Sequence, residues 1–230
     1  MSILDALYPY KRCPLCGRYA YKYGLCKNCL DEMEFVGDNI CKICGKPLSD
    51  DYAQDLCPDC IGGRNFDGAR SVLVYNERLH DSVYLFKYKG KVDLAEPFGE
   101  MMAEVLKAWN PPVDIITPIP LHRERLKERG YNQAYLLARV VSRLIGLPLE
   151  ETIVRVKHTD AQAKLDKVRR FENMLGAFSV RGEGDIGCHN VLLIDDVFTT
   201  GATADAASCI LKAGGAQRVY VLTLATGRNT

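Results

Sequence analysis

Long apolar runs are missing from this 230-residue sequence. Nothing approaches the roughly 20 residues that span a bilayer, and the opening MSILDALYPYKRC places an acidic residue where a signal peptide carries its apolar segment. A cytoplasmic protein without membrane insertion is the expectation. Excess charge is missing too: 30 Lys and Arg stand against 29 Asp and Glu, a formal net charge of +1. No global field therefore asks for nucleic acid or an acidic membrane, and any such binding must come from local patches. Low-complexity tracts, a GxxxxGK[ST] loop and any GxGxxG opening a helix are also lacking, which removes the rival nucleotide folds. The 47% hydrophobic content still suffices for a globular core.

Cysteine, by contrast, is plentiful. Eight of the ten form four Cys-x-x-Cys pairs, Cys13/Cys16, Cys26/Cys29, Cys41/Cys44 and Cys57/Cys60, all in the first quarter of the chain. This spacing brings two sulfurs of one tight turn to a metal at about 2.3 Å, and two such turns complete a tetrahedral thiolate site for zinc. Four turns imply two sites. A disulfide framework is the alternative, disfavoured by a reducing compartment. Sequential pairing, Cys13/Cys16 with Cys26/Cys29 and Cys41/Cys44 with Cys57/Cys60, gives two short ribbons; interleaved pairing gives a cross-brace, and only proximity favours the first. With thiolates at every position the zinc is expected to be structural. Residues 1–63 are thus read as a double zinc ribbon, poorly suited to clamp DNA because its acidic residues outnumber its basic ones.

Residues 64–230 alternate β-branched runs (SVLVY, VDIIT, TIVRV, VLLIDDV, RVYVLTLAT) with helical patterns (LHDSVYLFKYKG, LAEPFGEMMAEVLKAW, NQAYLLARVVSRLIG, ATADAASCILKAGG). That order predicts an α/β fold, a mostly parallel sheet with helices on both faces. The unbroken run Val191–Ile194 suits a central strand covered on both sides.

Where that strand ends, VLLIDDVFTTGAT sets two carboxylates before a small hydroxylated loop. Ligands of open parallel sheets bind beyond the carboxyl ends of the strands. Backbone amides of Thr199, Thr200, Gly201, Ala202 and Thr203, with the N-terminus of the next helix, can cradle a phosphate. Asp195 and Asp196 cannot bind phosphate but can accept hydrogen bonds from sugar hydroxyls, so a ribose 5-phosphate moiety is expected. The competing view is a helix N-cap, Thr199 or Thr200, behind two solvated carboxylates.

The thirteen residues closely resemble the phosphoribosyl-pyrophosphate (PRPP) signature of type I phosphoribosyltransferases. Over nearly its whole length the chain resembles the competence-protein ComF family, through the cysteine pairs, FKYKG (86–90), PIPLHRERLKERGYNQAYLLA (118–138) and HTDAQAKLDKVRRFENMLGAF (158–178). The resemblance implies a phosphoribosyltransferase-like domain and PRPP with magnesium. It makes the stretch from Pro118 and Pro120 through His122, Arg123, Arg125, Arg129, Tyr131, Asn132 and Gln133 the pyrophosphate loop, and 158–178 a loop that closes over the ligand. Charge supports this independently, since residues 120–170 hold about twice as many Lys and Arg as Asp and Glu. A solvated basic helix, with Glu124 and Glu128 pairing Lys127 and Arg129, is the alternative. Lys87 and Lys89 suit a phosphate contact or an exposed helix end equally.

A transferase would displace pyrophosphate at the anomeric carbon, with Asp195 and Asp196 as catalytic residues. No base-recognition motif is visible, and the chain runs only a few residues past LTLATGR, so the zinc module or the closing loop would have to hold the acceptor. The resemblance implies a different class as the alternative: a non-catalytic PRPP-binding accessory of DNA uptake, working on single-stranded DNA with the competence DNA translocase. Of the isolated residues, Cys209 is expected in the core, while Cys188, His80, His158 and His189 carry no assigned role.

Overall fold

Val191–Ile194 organises the fold. The computed structural model describes residues 12–49, 51–52, 54–157, 176–182, 186–187 and 189–228. Its sheet has four strands in the order β1-β6-β5-β2: β1 (Gly68–Val74), β2 (Ile115–Pro118), β5 (Asn190–Phe198) and β6 (Arg218–Thr226). All three pairings are parallel. A separate antiparallel pair joins β3 (Ile153–Arg155) to β4 (Phe178–Val180). Between them run α1 (Lys27–Asp31), α2 (Glu77–Tyr88), α3 (Ala95–Trp109), α4 (Arg123–Arg129), α5 (Gln133–Ile145) and α6 (Ala202–Ala213).

Side chains of a strand point alternately to its two faces, and β5 serves two cores this way. Leu192 and Ile194 join a cluster with Phe86 of α2, Phe98 of α3 and Leu137 of α5, whereas Val191 and Leu193 join one with Ala207 and Leu211 of α6. Helices therefore cover both faces, as the apolar run requires. Their ends use side chains that the sequence supplies: Asn76 accepts from the Leu79 amide at 2.9 Å to cap α2, and Asn132 accepts from Ala134 at 3.1 Å to cap α5.

The two cysteine groups lie on opposite faces. Cys13, Leu25 and Cys26 belong to the α2–α3–α5 core, while Cys41, Cys44, Cys57 and Cys60 belong to the α6 core. The connecting segment passes the free side of β1, where Val36 donates to Val72 O at 2.9 Å and Val74 to Glu34 O at 2.8 Å. At the other side of the sheet, Ile116 donates to Pro148 O and Glu150 to Ile116 O, both at 2.9 Å.

Cys209 departs from the expectation of a core residue. It is exposed, because the buried face of α6 is taken by Ala204, Ala207, Ser208 and Leu211. Cys188, His158 and residues 158–175 of the closing-loop stretch lie outside the described residues. No helix among the described residues is long and apolar enough to cross a membrane.

Gly99 shows how closely α3 and α5 approach: a Cβ built there would stand 2.5 Å from Val140 Cβ. Gly99→Ala gains about 1 kcal/mol of helix propensity but meets a stiff β-branched neighbour, an overpacking cost of roughly 1–3 kcal/mol. Net destabilisation with an unchanged denaturant slope is the expected result of urea unfolding.

Candidate functional site

Adjacent strands β2 and β5 send their following helices to opposite faces, and such a switch point opens a crevice at the carboxyl end of the sheet. A cavity of about 580 Å³ lies there. Asp195 and Asp196 line it from β5, and Thr199 and Thr203 from the loop and first turn of α6. Six cationic side chains line it as well: Lys46, Lys87, Arg125, Arg129, Arg155 and Arg228.

The loop before α6 is shaped by Gly201, the N-cap residue, at φ 79°. A Cβ there would sit 2.5 Å from the Phe198 ring, so both the left-handed backbone and the ring require glycine. The cap is this glycine and not a threonine; no side chain caps α6, while Thr200 Oγ1 accepts from the Ala202 amide at 3.4 Å. Thr199 and Thr203 bracket this turn at the cavity wall, beside the positive end of α6. Thr200, Gly201 and Ala202 shape this turn without lining the cavity.

The basic stretch divides by role. Arg125, Arg129, Asn132 and Gln133 line the cavity. Arg129 does not take an intrahelical glutamate but donates to Gln133 Oε1 at 3.0 Å and to Tyr88 OH at 2.9 Å. Tyr131 OH donates to Phe86 O at 2.6 Å, and Asn132 Nδ2 to Ile119 O at 2.9 Å, fastening α5 to α2 and to the end of β2. His122 caps α4, its Nδ1 accepting from the Glu124 amide at 3.4 Å. Arg123 is exposed, and Pro118 and Pro120 carry the chain out of β2 without lining the cavity.

Of the two lysines of FKYKG, Lys87 sets its Nζ 2.9 Å from Asp196 Oδ2 inside the cavity, whereas Lys89 is exposed. Sequence reasoning missed Lys46, Tyr75, Arg155 and Arg228 altogether. Arg155 follows Ile153 at strand spacing, a signal that placed it in a strand without saying what faced it. Lys46 sits inside a cysteine turn, and nothing local links it to residues 150 positions away.

Charge shapes the site's ionisation. Burial and the neighbouring Asp196 charge push Asp195 up to about 7, against the opposing pull of the Asp196 amide, Lys87 and Arg155. Burial works to lower Lys87, but the charge and hydrogen bond of Asp196, with Asp195, outweigh it and raise the ammonium overall. Arg155 is lowered by burial first and then by Arg125. Two guanidiniums held together in this way favour an anion between them.

The cysteines group as sequential pairing predicts. The sulfurs of Cys13, Cys16, Cys26 and Cys29 lie within 4.8 Å of one another, and so do those of Cys41, Cys44, Cys57 and Cys60. All described cysteines are free thiols, and four sulfurs at this spacing fit a tetrahedral Zn²⁺. Cys26 is drawn down to about 7, first by the Cys29 amide. Cys60 is drawn down to about 5 by Cys44 and, beyond that, by Arg64. Their partners are raised in turn, Cys29 and Cys57 chiefly by burial and Cys16 and Cys44 by the hydrogen bonds they share, so each cluster holds protons in common that a bound metal would displace.

The raised Asp195 has a stability signature. A carboxyl held at about 7 when folded and near 3.8 when unfolded binds its proton more tightly in the folded state. Folding stability therefore falls as pH rises between those values and stays reduced above the upper one. Asp195→Asn removes this loss, and the expected gain at pH 8 is on the order of a few kcal/mol, vanishing near pH 4. Thermal unfolding across that range checks it; a gain independent of pH would contradict it.

Comparison with known proteins agrees with the cysteine geometry and identifies the relatives. The double zinc ribbon domain family matches residues 3–61. Competence protein ComFC of Bacillus subtilis is 31% identical over 211 residues, covering 87% of this chain and 83% of that protein. Competence protein F of Haemophilus influenzae is 31% identical over 213 residues, covering 89% and 91%. The DNA utilization protein YhgH of Escherichia coli K12 is 27% identical over 219 residues, covering 86% and 95%. Solved structures match loosely: a purine phosphoribosyltransferase from Pyrococcus horikoshii has a TM-score of 0.36 at 22% identity, covering 59% of this chain and 72% of that one. The glutamine PRPP amidotransferase of B. subtilis has 0.42 at 16%, covering 61% and 30%. On its identity to the two competence proteins across most of all three sequences, the chain belongs to the competence-protein ComF family.

Proposed function

We propose that the cavity binds PRPP and that the protein is a phosphoribosyltransferase-like member of the competence machinery. One observation carries the reading: two carboxylates share a cavity with six cations and the loop leading into α6; they lie within the C-terminal half of β5, which runs on to Phe198 and does not stop before them as the sequence suggested. Phosphates need the cations and amides, ribose hydroxyls need the carboxylates, and few ligands need both.

In this reading Thr199–Thr203 hold the 5-phosphate, and Arg125, Arg129 and Arg155 hold pyrophosphate. Asp195 and Asp196 accept from the ribose hydroxyls. Lys87, 2.9 Å from Asp196 Oδ2, orients that carboxylate before the sugar arrives. Magnesium bound with the ligand offsets pyrophosphate charge. If transfer occurs, the bond from the anomeric carbon to pyrophosphate breaks as the acceptor bonds to that carbon. The carboxylates then stabilise positive charge on the ring, and the arginines stabilise the leaving group.

A second reading, non-catalytic handling of single-stranded DNA, is favoured by an aromatic ladder beside the cavity. His80 stacks on Tyr84 at 6.3 Å, and the Tyr84 and Tyr88 rings meet tilted by 42° at 5.2 Å, along one side of α2. Arg129 covers Tyr88 at 4.7 Å and Lys89 covers Tyr84 at 5.8 Å. Exposed rings among cations are what unpaired bases stack on. The names of the relatives, which speak of competence and DNA utilization, fit it.

Calorimetric titration of PRPP with magnesium into the zinc-loaded protein tests the first reading. Binding is expected in the wild type and lost when Asp195 and Asp196 are both changed to Ala; a folded wild type that does not bind would sink it. Pyrophosphate release on adding nucleobases, amines or single strands decides whether transfer occurs. For the second reading, oligothymidylate binding should weaken with salt and fall about 5- to 100-fold on Tyr88→Ala. Anisotropy unmoved by either change excludes the ladder.

A further inference from the structure

The second zinc ribbon does more than pack against the sheet. Lys46 lies within its first turn, where its carbonyl accepts from the Cys41 amide at 2.9 Å. Its side chain is only 7% exposed and yet lines the cavity. Asp59, between Cys57 and Cys60, meets Lys46 Nζ at 2.9 Å but does not itself line the cavity. One ammonium N–H is therefore spent on Asp59, and among the described residues no other acceptor is recorded for the remaining two.

The same ribbon grips the loop before α6. Arg64 donates to Thr200 O at 2.9 Å. Asn65 donates to the buried Asp205 carboxylate through its amide at 2.6 Å and its side chain at 3.1 Å. Lys46 stands 5.9 Å over the Phe198 ring, on which Phe66 stacks edgewise at 6.0 Å. Gly45, which precedes Lys46, is held at φ 69°, and a Cβ there would clash with Ala69 O at 2.5 Å, while the Ala69 amide donates to Ile43 O at 2.7 Å. The turn that presents Lys46 is thus anchored to β1, while the neighbouring chain is anchored to the phosphate loop.

We propose that Lys46 is a phosphate-binding residue of the ribose site, supplied by the second zinc ribbon, and that Arg64 is a positioning residue holding the phosphate loop to that ribbon. The inference rests on the PRPP reading of the cavity and assigns the 5-phosphate to Lys46 with Thr199–Thr203. Asp59 fixes the lysine in place, and the cysteine turns fix both. The integrity of the second metal site thereby sets affinity for the phosphorylated sugar.

The test titrates ribose 5-phosphate, and separately inorganic pyrophosphate, into three zinc-loaded proteins: the wild type, the double variant Lys46→Met with Asp59→Asn, and Arg64→Gln. Removing both partners of the buried pair avoids stranding a charge. The double variant should bind ribose 5-phosphate at least about tenfold more weakly, the loss of one charge-assisted contact, while pyrophosphate affinity stays within about twofold of wild type. Zinc released to a colorimetric chelator should remain at two per chain. Arg64→Gln, whose guanidinium also faces the Cys60 sulfur, should weaken ribose 5-phosphate several-fold with its zinc count still at two per chain, and decides the matter if the double variant loses its second metal. Wild-type affinity for ribose 5-phosphate in both variants overturns the role of the ribbon and leaves the PRPP reading standing. A wild type that binds neither ligand overturns both together.

Discussion

The parallel pairing of β5 between β6 and β2 is the constraint from which the rest follows. A strand paired on both sides has its main-chain groups satisfied, so only its faces remain to be covered. Covering them needs helices above and below, and the chain after β5 must leave toward the opposite face from the chain after β2. The crevice between those departures is where residues following the apolar run emerge. Asp195 and Asp196 owe their position to strand length and direction more than to any contact of their own. Their close spacing then creates an electrostatic problem that Lys87 and Arg155 relieve only in part, as the raised Asp195 shows. Binding sites commonly hold such unfavourable charge at the expense of stability.

Much of this was legible in the sequence because it depends on local spacing. Two-residue cysteine separation encodes a metal-binding turn, an unbroken aliphatic run encodes a buried strand, and a glycine between small hydroxylated residues encodes a tight entry into a helix. The alternation of strand and helix gave the sheet and its helices. The pairing of cysteines by proximity matches the geometry, with nine residues between Cys16 and Cys26 and twelve between Cys44 and Cys57.

What could not be read depends on tertiary approach. Nothing in CKICGK says that its lysine reaches the far end of β5, and nothing in TIVRV says which way Arg155 faces. Cys209 shows the limit of periodicity: α6 carries many small residues, so its apolar stripe is ill-defined, and a cysteine one position off Ser208 falls outside it. Placement of the two ribbons on opposite faces was invisible too, since it follows from how the 34–36 segment passes the sheet.

That segment has a further consequence. Open sheets end in strands with unsatisfied amides and carbonyls, which can template pairing with another molecule. Here residues 34–36 cover the outer side of β1, and residues 148–150 cover that of β2. The link between the ribbons is thus a guard against self-association. A chain trimmed to begin at β1 would present a row of unpaired amides and carbonyls to its own copies, so the stretch between the cysteine groups shields the sheet edge as well as joining them.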